Sequence, residues 1–229
     1  MLNDINLEIA EGEFVCILGA SGCGKSTLFN AVSGLLKVDG GSIRLENEDV
    51  IGKPGRVGYM LQKDLLLPWR TVLDNIVLGA SLTRGASLTD RDKAAELANH
   101  YGLGGYLDHY PHALSGGMRQ RVALMRTVAA GRELMLLDEP FGALDSLTRF
   151  TMQRWLLQVW AELGRTIMFV THDIDEALFL ADRVVVMLPE PGRIARILPV
   201  HLRRPREVDC MAAPPFMELK AEALKLLYS

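Results

Sequence analysis

At 229 residues with 49% hydrophobic and 23% charged side chains, the chain is long enough to bury one or two ordinary cores and reads as globular. Its formal net charge of −3 gives no electrostatic case for wholesale binding of nucleic acid or of an anionic membrane. Cys16, Cys23 and Cys210 are too few for a disulfide framework and favour a reducing, cytosolic compartment; no apolar run approaches the roughly 18 to 20 residues of a membrane helix, and MLNDINLEIAEGE lacks a secretion-signal pattern.

Ile5, Leu7 and Ile9 alternate with Asn6 and Glu8, which predicts a half-buried strand turning at Glu11-Gly12 into the fully apolar run Phe14 to Leu18. The segment GASGCGKST comes immediately after it. A shorter apolar stretch, Val57 to Leu61, leads to Gln62. From about Val72 to Ala130 the apolar spacing is helical, at Ala94, Leu97 and Ala98 and again at Val122, Met125, Val128 and Ala129, predicting a helical insertion. Its last helix, MRQRVALMRTVAAG, is introduced by Leu114-Ser115-Gly116-Gly117, with Ser115 placed as N-cap and Gly131 as C-terminal stop. Leu134 to Leu137 and Ile167 to Val170 have the length and flanks of strands buried on both faces, the habit of parallel sheets. Beyond Arg183, VVVML and RIARIL flank the turn-rich PEPG and predict a strand and a hairpin, and Phe216 to Leu227 reads as an amphipathic helix. Between them, Arg203-Arg204-Pro205-Arg206 reads as a solvated surface rather than a patch for lipid headgroups.

In open α/β sheets ligands sit beyond the carboxyl ends of the strands, and the three long apolar runs lead directly into Gly19, Asp138-Glu139 and the neighbourhood of His172. Gly19, Ala20, Ser21, Gly22, Cys23, Gly24, Lys25, Ser26 and Thr27 form a phosphate-binding loop. Its glycines let backbone N–H groups turn inward around phosphate oxygens, Lys25 reaches the outer phosphates, and the Ser26 hydroxyl ligates magnesium. The helix starting here adds the positive end of its dipole. The expected ligands are therefore a nucleoside triphosphate and Mg2+. Cys23 reads as a small filler, with a thiol made reactive by the helix start as the alternative. Of the two carboxylates, Asp138 is expected to organise the metal shell and Glu139 to polarise an attacking water. At His172 an imidazole could contact the outer phosphate and hold the water's geometry, with a structural histidine as the alternative when the residue is taken alone, and the Gln62 amide oxygen can serve magnesium or water. His100, His109, His112 and His201 read as surface or packing residues.

Ser115, Gly116 and Gly117 make a second anion-receiving helix start, in a chain with a single phosphate loop. A head-to-tail pair of chains resolves the mismatch, each nucleotide lying between the Gly19 loop of one copy and Ser115 of the other.

Taken together, GASGCGKST, Gln62, LSGGMRQR, LMLLDEP, GALD with Asp145, and His172 resemble, in order, the motifs of the ATP-binding-cassette (ABC) transporter ATPases. The phrases LLLPWRTVLDNI and DEPFGALDSLTR resemble the nitrate, sulfonate and taurine importer group in particular. The resemblance implies an α/β P-loop NTPase with a mainly parallel core sheet, a small antiparallel β part and a helical subdomain. Within one domain, 1–229, the core would take about 1–70 and 131–200, the helical subdomain about 71–130 and a tail 201–229. It also implies ATP and Mg2+ as ligands, with Ser26, Gln62 and Asp138 at the metal, Glu139 as general base, His172 as γ-phosphate sensor, and Ser115, Gly116, Gly117 and Asp145 acting across the dimer. Partners would be a second copy, transmembrane permease subunits docking on a groove that includes Leu67 and Trp69, and, indirectly, a solute-binding protein. No nucleic acid is expected, although a non-transport cassette acting on nucleic acid or ribosomes is the alternative reading. The location implied is cytoplasmic, peripheral on the inner face of the membrane. In the family an aromatic on a preceding strand stacks on adenine; here DINL already stands at Asp4 to Leu7, so a weaker hold on the base, by roughly 1 to 3 kcal/mol, is expected.

Overall fold

The computed structural model describes residues 2–84 and 87–228. Its centre is β1 (Phe14–Leu18), every residue of which is buried, leading through the phosphate loop into α1 (Lys25–Val32). Two-residue strands β2 (Arg44–Leu45) and β3 (Glu48–Asp49) form a small antiparallel ribbon before β4 (Gly58–Met60). Helices α2 (Val72–Arg84), α3 (Leu88–His100) and α4 (Gly116–Ala129) come next, then β5 (Leu134–Asp138), α5 (Ser146–Leu163), β6 (Thr166–Thr171) and α6 (Ile174–Leu180). The antiparallel pair β7 (Arg183–Leu188) and β8 (Arg193–Pro199) precedes the terminal helix α7 (Pro214–Tyr228).

Six strands form one sheet in the order β4-β5-β6-β1-β7-β8, parallel throughout except for β8. Because successive side chains of a strand point to opposite faces, each strand feeds two cores. Phe14, Cys16, Leu18, Leu137 and Phe169 face the helices α2 to α7, while Val15, Ile17, Leu136 and Val170 pack with Leu28 and Phe29 of α1. This two-sided burial is why the strands read as unbroken apolar runs.

The expected strand at Ile5 to Ile9 is not one. Its odd-numbered side chains do pack on the α1-side core, alternating with exposed neighbours, but none of these residues joins a ladder among the described residues. Alternation reports an extended chain lying on an apolar surface, and hydrogen-bonded pairing is a separate requirement. The helix ends match the sequence more closely. Ser115 caps α4 by accepting the Met118 N–H at 3.3 Å, and Gly131 takes φ of 69° just past the C-cap.

Arg204 and Arg206 correct the solvated reading of the basic segment. Arg206 is 3% exposed and donates to the carbonyls of Leu178, Phe179 and Ala181, at the end of α6 where carbonyls lack intrahelical partners. Arg204 pairs with Asp182 at 2.7 Å and lies over the Trp160 ring at 4.3 Å. Arg204 and Arg206 staple the segment to the fold, while Arg203 is exposed, as a solvated surface would have it.

Candidate nucleotide site

Strand register brings the chemistry together. Met60 pairs with Leu137, Asp138 with Val170, and Leu18 with Thr171, so the chain leaves the sheet at one edge after each of these strands. Gln62, Glu139, His172 and Gly19 stand at that edge. Gln62, Glu139 and His172, with Ser21, Gly22, Gly24, Lys25, Ser26, Thr27 and Asp138, surround an open cavity of about 550 Å³.

The loop is shaped by glycine where other residues do not fit. Gly24 caps α1 with φ of 100°, and a Cβ on Gly19 would stand 2.6 Å from the Met187 carbonyl and 2.7 Å from Cys23 Sγ. A Cβ on Gly192, in the β7–β8 turn, would strike the Cys23 carbonyl. Cys23 itself is 1% exposed and belongs to the α1-side core, as a filler would. Lys25 is buried, its Nζ donating to the carbonyls of Gly19 at 2.7 Å and Ala20 at 3.0 Å, with Glu139 Oε1 at 4.0 Å.

Glu139 is the hub. Its Oε2 accepts from Gln62 Nε2 at 3.2 Å and stands 3.3 Å from His172 Nδ1. Its backbone has φ of 44°, a region non-glycine residues rarely enter, and its N–H is held by the Val170 carbonyl at 3.0 Å. Beside it Asp138 is buried, which pushes its carboxyl pKa up, partly offset by a hydrogen bond from Ser26. Tyr59, on the neighbouring strand, is pushed up to about 12, first by burial and then by the Asp138 charge.

A carboxylate drawn out of water beside a hydroxyl and an amide is a set of hard oxygen donors that suits magnesium. No group of three His, Cys, Asp or Glu side chains capable of holding a metal occurs among the described residues. The site thus fits an ion that completes its shell with phosphate and water, as Mg2+ does.

Ser115, Gly116 and Gly117 do not line this cavity, and Asp145 caps α5 instead, accepting the Thr148 N–H at 3.0 Å. Sequence reasoning missed how the loop at Gln62 is held. Arg126 of α4 donates to the carbonyls of Asp64, at 2.6 Å, and Leu65, at 2.8 Å, while Arg119 pairs with the Asp64 carboxylate at 3.1 Å. The only sequence signal was two arginines seven apart on one helix face. A second cleft of similar size lies at the opposite end of the strands, around Glu13, Asp182, Arg183 and Arg204, whose charges already pair with one another.

A phosphate loop at the switch of a parallel sheet, facing a carboxylate pair, defines a P-loop nucleotide-binding protein. Residues 2–142 match the ABC transporter family, and the chain belongs to it, as an ATP-hydrolysing member of the importer group. It is 43% identical over 233 residues to a taurine import ATP-binding protein of Rhizobium johnstonii, covering 100% of this chain and 89% of the relative. The taurine import protein of Escherichia coli is 43% identical over 203 residues, 89% of this chain and 80% of its own. Among solved structures, a dimeric ATP-binding cassette, MJ0796, in a post-hydrolysis state with ADP and Pi, superposes with a TM-score of 0.74 at 32% identity, covering 88% of this chain and 91% of that one. The cassette cbiO1 of Clostridium perfringens, part of the complex cbiONQ, gives 0.76 at 30% identity over 86% of this chain and 80% of its own.

Proposed function

We propose that this chain is the engine of an importer for a small sulfonate-bearing solute such as taurine, working as a head-to-tail dimer on the inner face of the membrane. The observation that carries the catalytic part is the convergence of Lys25, Gln62 and His172 on the Glu139 carboxylate. In this reading the Gly19 to Thr27 backbone and Lys25 bind the ATP phosphates, and Ser26, Asp138 and Gln62 hold Mg2+. The ion supplies positive charge to the β- and γ-phosphate oxygens when bound. Glu139 takes a proton from the attacking water, and Gln62 and His172, within hydrogen-bond reach of the same oxygen, fix that water and sense the γ-phosphate. The chemistry is mostly positioning.

Ser115 to Gly117 lie outside the cavity of their own chain, so their N–H groups serve the nucleotide of a second copy, with Asp145 at the same junction. The dimeric cassette among the relatives supports that arrangement. Leu61, Leu65 and Trp69 are exposed near Gln62, Trp69 by 71%, and offer apolar surface to a helix of a permease subunit. Among the described residues no helix is long and apolar enough to cross a membrane. The sulfonate reading rests on the taurine relatives.

Glu139→Gln tests the engine: it should bind ATP normally, hydrolyse it at under about a hundredth of the normal rate, and accumulate as an ATP-bound dimer on size exclusion. Undiminished turnover removes Glu139 as the base. For the solute, vesicles carrying the chain with its permease and binding protein should hydrolyse ATP faster when taurine is added; stimulation by an unrelated solute alone rejects the sulfonate assignment.

A further inference from the structure

His172 sits on the turn from β6 into α6 with its side chain 60% exposed, so packing does little to hold the ring and the backbone of the turn must aim it. Just inside that turn lies a carboxylate that none of the roles above uses. Glu176 is 6% exposed. Its Oε1 accepts from Gln153 Nε2 of α5 at 3.0 Å, and its Oε2 accepts the Thr171 hydroxyl. The Thr171 oxygen in turn accepts the Asp173 N–H at 3.0 Å, closing a loop across His172. Asp173 caps α6 by accepting the Glu176 N–H at 3.0 Å, and its other oxygen faces Arg149 at 3.6 Å. Arg149 reaches back to the Leu144 carbonyl at 3.0 Å, next to Asp145. His172 is thereby bracketed by two residues that are both tied to Glu176.

A carboxylate is a costly choice for such a place. Burial pushes its pKa up, and the hydrogen bonds from Thr171 and Gln153 offset only part of that cost. What a charged acceptor gives in return is shorter and stronger hydrogen bonds than a neutral one, hence a stiffer turn. Glu176 does not line the phosphate cavity, so it has no access to the reacting atoms.

We propose that Glu176 is a positioning residue for ATP hydrolysis, fixing through Thr171 and Gln153 the turn that aims His172 at the water held by Glu139. This rests on the roles proposed above for His172 and Glu139.

The test is steady-state ATPase kinetics of the full chain carrying Glu176→Ala, Glu176→Gln or Thr171→Val, each in the native and the His172→Ala background, with thermal midpoints measured alongside. Glu176→Ala should lower kcat about ten- to a hundredfold while KM for ATP stays within about twofold, because the ring is misplaced but the phosphate loop is untouched. Glu176→Gln keeps the size and one acceptor but puts a donor where the second acceptor stood, so its kcat should fall between those of Glu176→Ala and the native chain. In the His172→Ala background Glu176→Ala should cost nothing further, since residues acting as a unit are not additive. Equal proportional losses in both backgrounds overturn the proposal, as does native kcat in Glu176→Ala. If Glu176→Ala does not fold, Thr171→Val decides by the same comparison. Undiminished turnover in His172→Ala alone removes the role of His172 and the proposal with it. Lost turnover there with none lost in Glu176→Ala leaves His172 in place and overturns the proposal only.

Discussion

Glu139 carries a backbone φ of 44°. For a residue with a Cβ the left-handed region costs roughly 1 to 2 kcal/mol, and glycine is spared that cost. Glu139→Ala and Glu139→Gly both delete the contacts to Lys25, Gln62 and His172. They differ in the backbone term alone. Glycine recovers the strain but gives the unfolded chain more freedom, worth about 0.4 to 1 kcal/mol against it. At the centre of these ranges Glu139→Gly is the more stable of the two by about 0.8 kcal/mol, or about 2 to 3 °C in Tm for a domain of this size. Thermal unfolding measured by circular dichroism, without nucleotide, reads this directly, and neither variant should turn over ATP. An alanine variant as stable as the glycine one, or more so, would refute a strained backbone at this carboxylate. The strain has a use, because the hydrogen bond from the Glu139 N–H to the Val170 carbonyl holds the turn in a conformation it would not choose, with the side chain toward Gln62 and His172.

Lys25→Ala should weaken ATP binding by about tenfold or more, since the buried ammonium lining the phosphate cavity is lost; calorimetric titration giving an unchanged Kd would refute the assignment. Gly19→Ala drives a methyl against the Met187 carbonyl and should destabilise the chain by about 1 to 3 kcal/mol and impair ATP binding, so an unshifted denaturant midpoint would count against the close packing. Iodoacetamide should modify the half-buried Cys210 before Cys23, and Cys23 should react slowly with or without ATP; labelling of Cys23 that ATP suppresses would restore the reactive reading.

The sheet was legible wherever burial on both faces left an uninterrupted apolar run. Phe14 to Leu18 is a strand with those bounds, and Leu134 to Leu137 and Ile167 to Val170 gain only one residue at an end or at each end. Ser115 and Gly131 were legible because caps use a short list of residue types. Ile5 to Ile9 misled because the period of two is set by the surface beneath it and not by a neighbouring strand. The positive φ at Glu139 left no trace, since no glycine marks it. Glu176 was invisible for a different reason: in sequence it is one of two acids in the first turn of α6, and only the fold brings Gln153 to it across 23 residues. Arg119 and Arg126 likewise read as ordinary charges on an amphipathic helix until the loop they hold is seen beside them.

The crowding behind the phosphate loop gives it a direction. Strand β7 at Gly19 and the hairpin turn at Gly192 press backbone against backbone on one side, whereas a Cβ added at Gly22 would meet nothing within 4 Å. Close-packed backbone has no room to yield, so thermal motion and any tightening around a ligand are confined to the open side. The sheet and the hairpin turn therefore fix the back of the loop, and the face it leaves open at Gly22 is the face that lines the cavity.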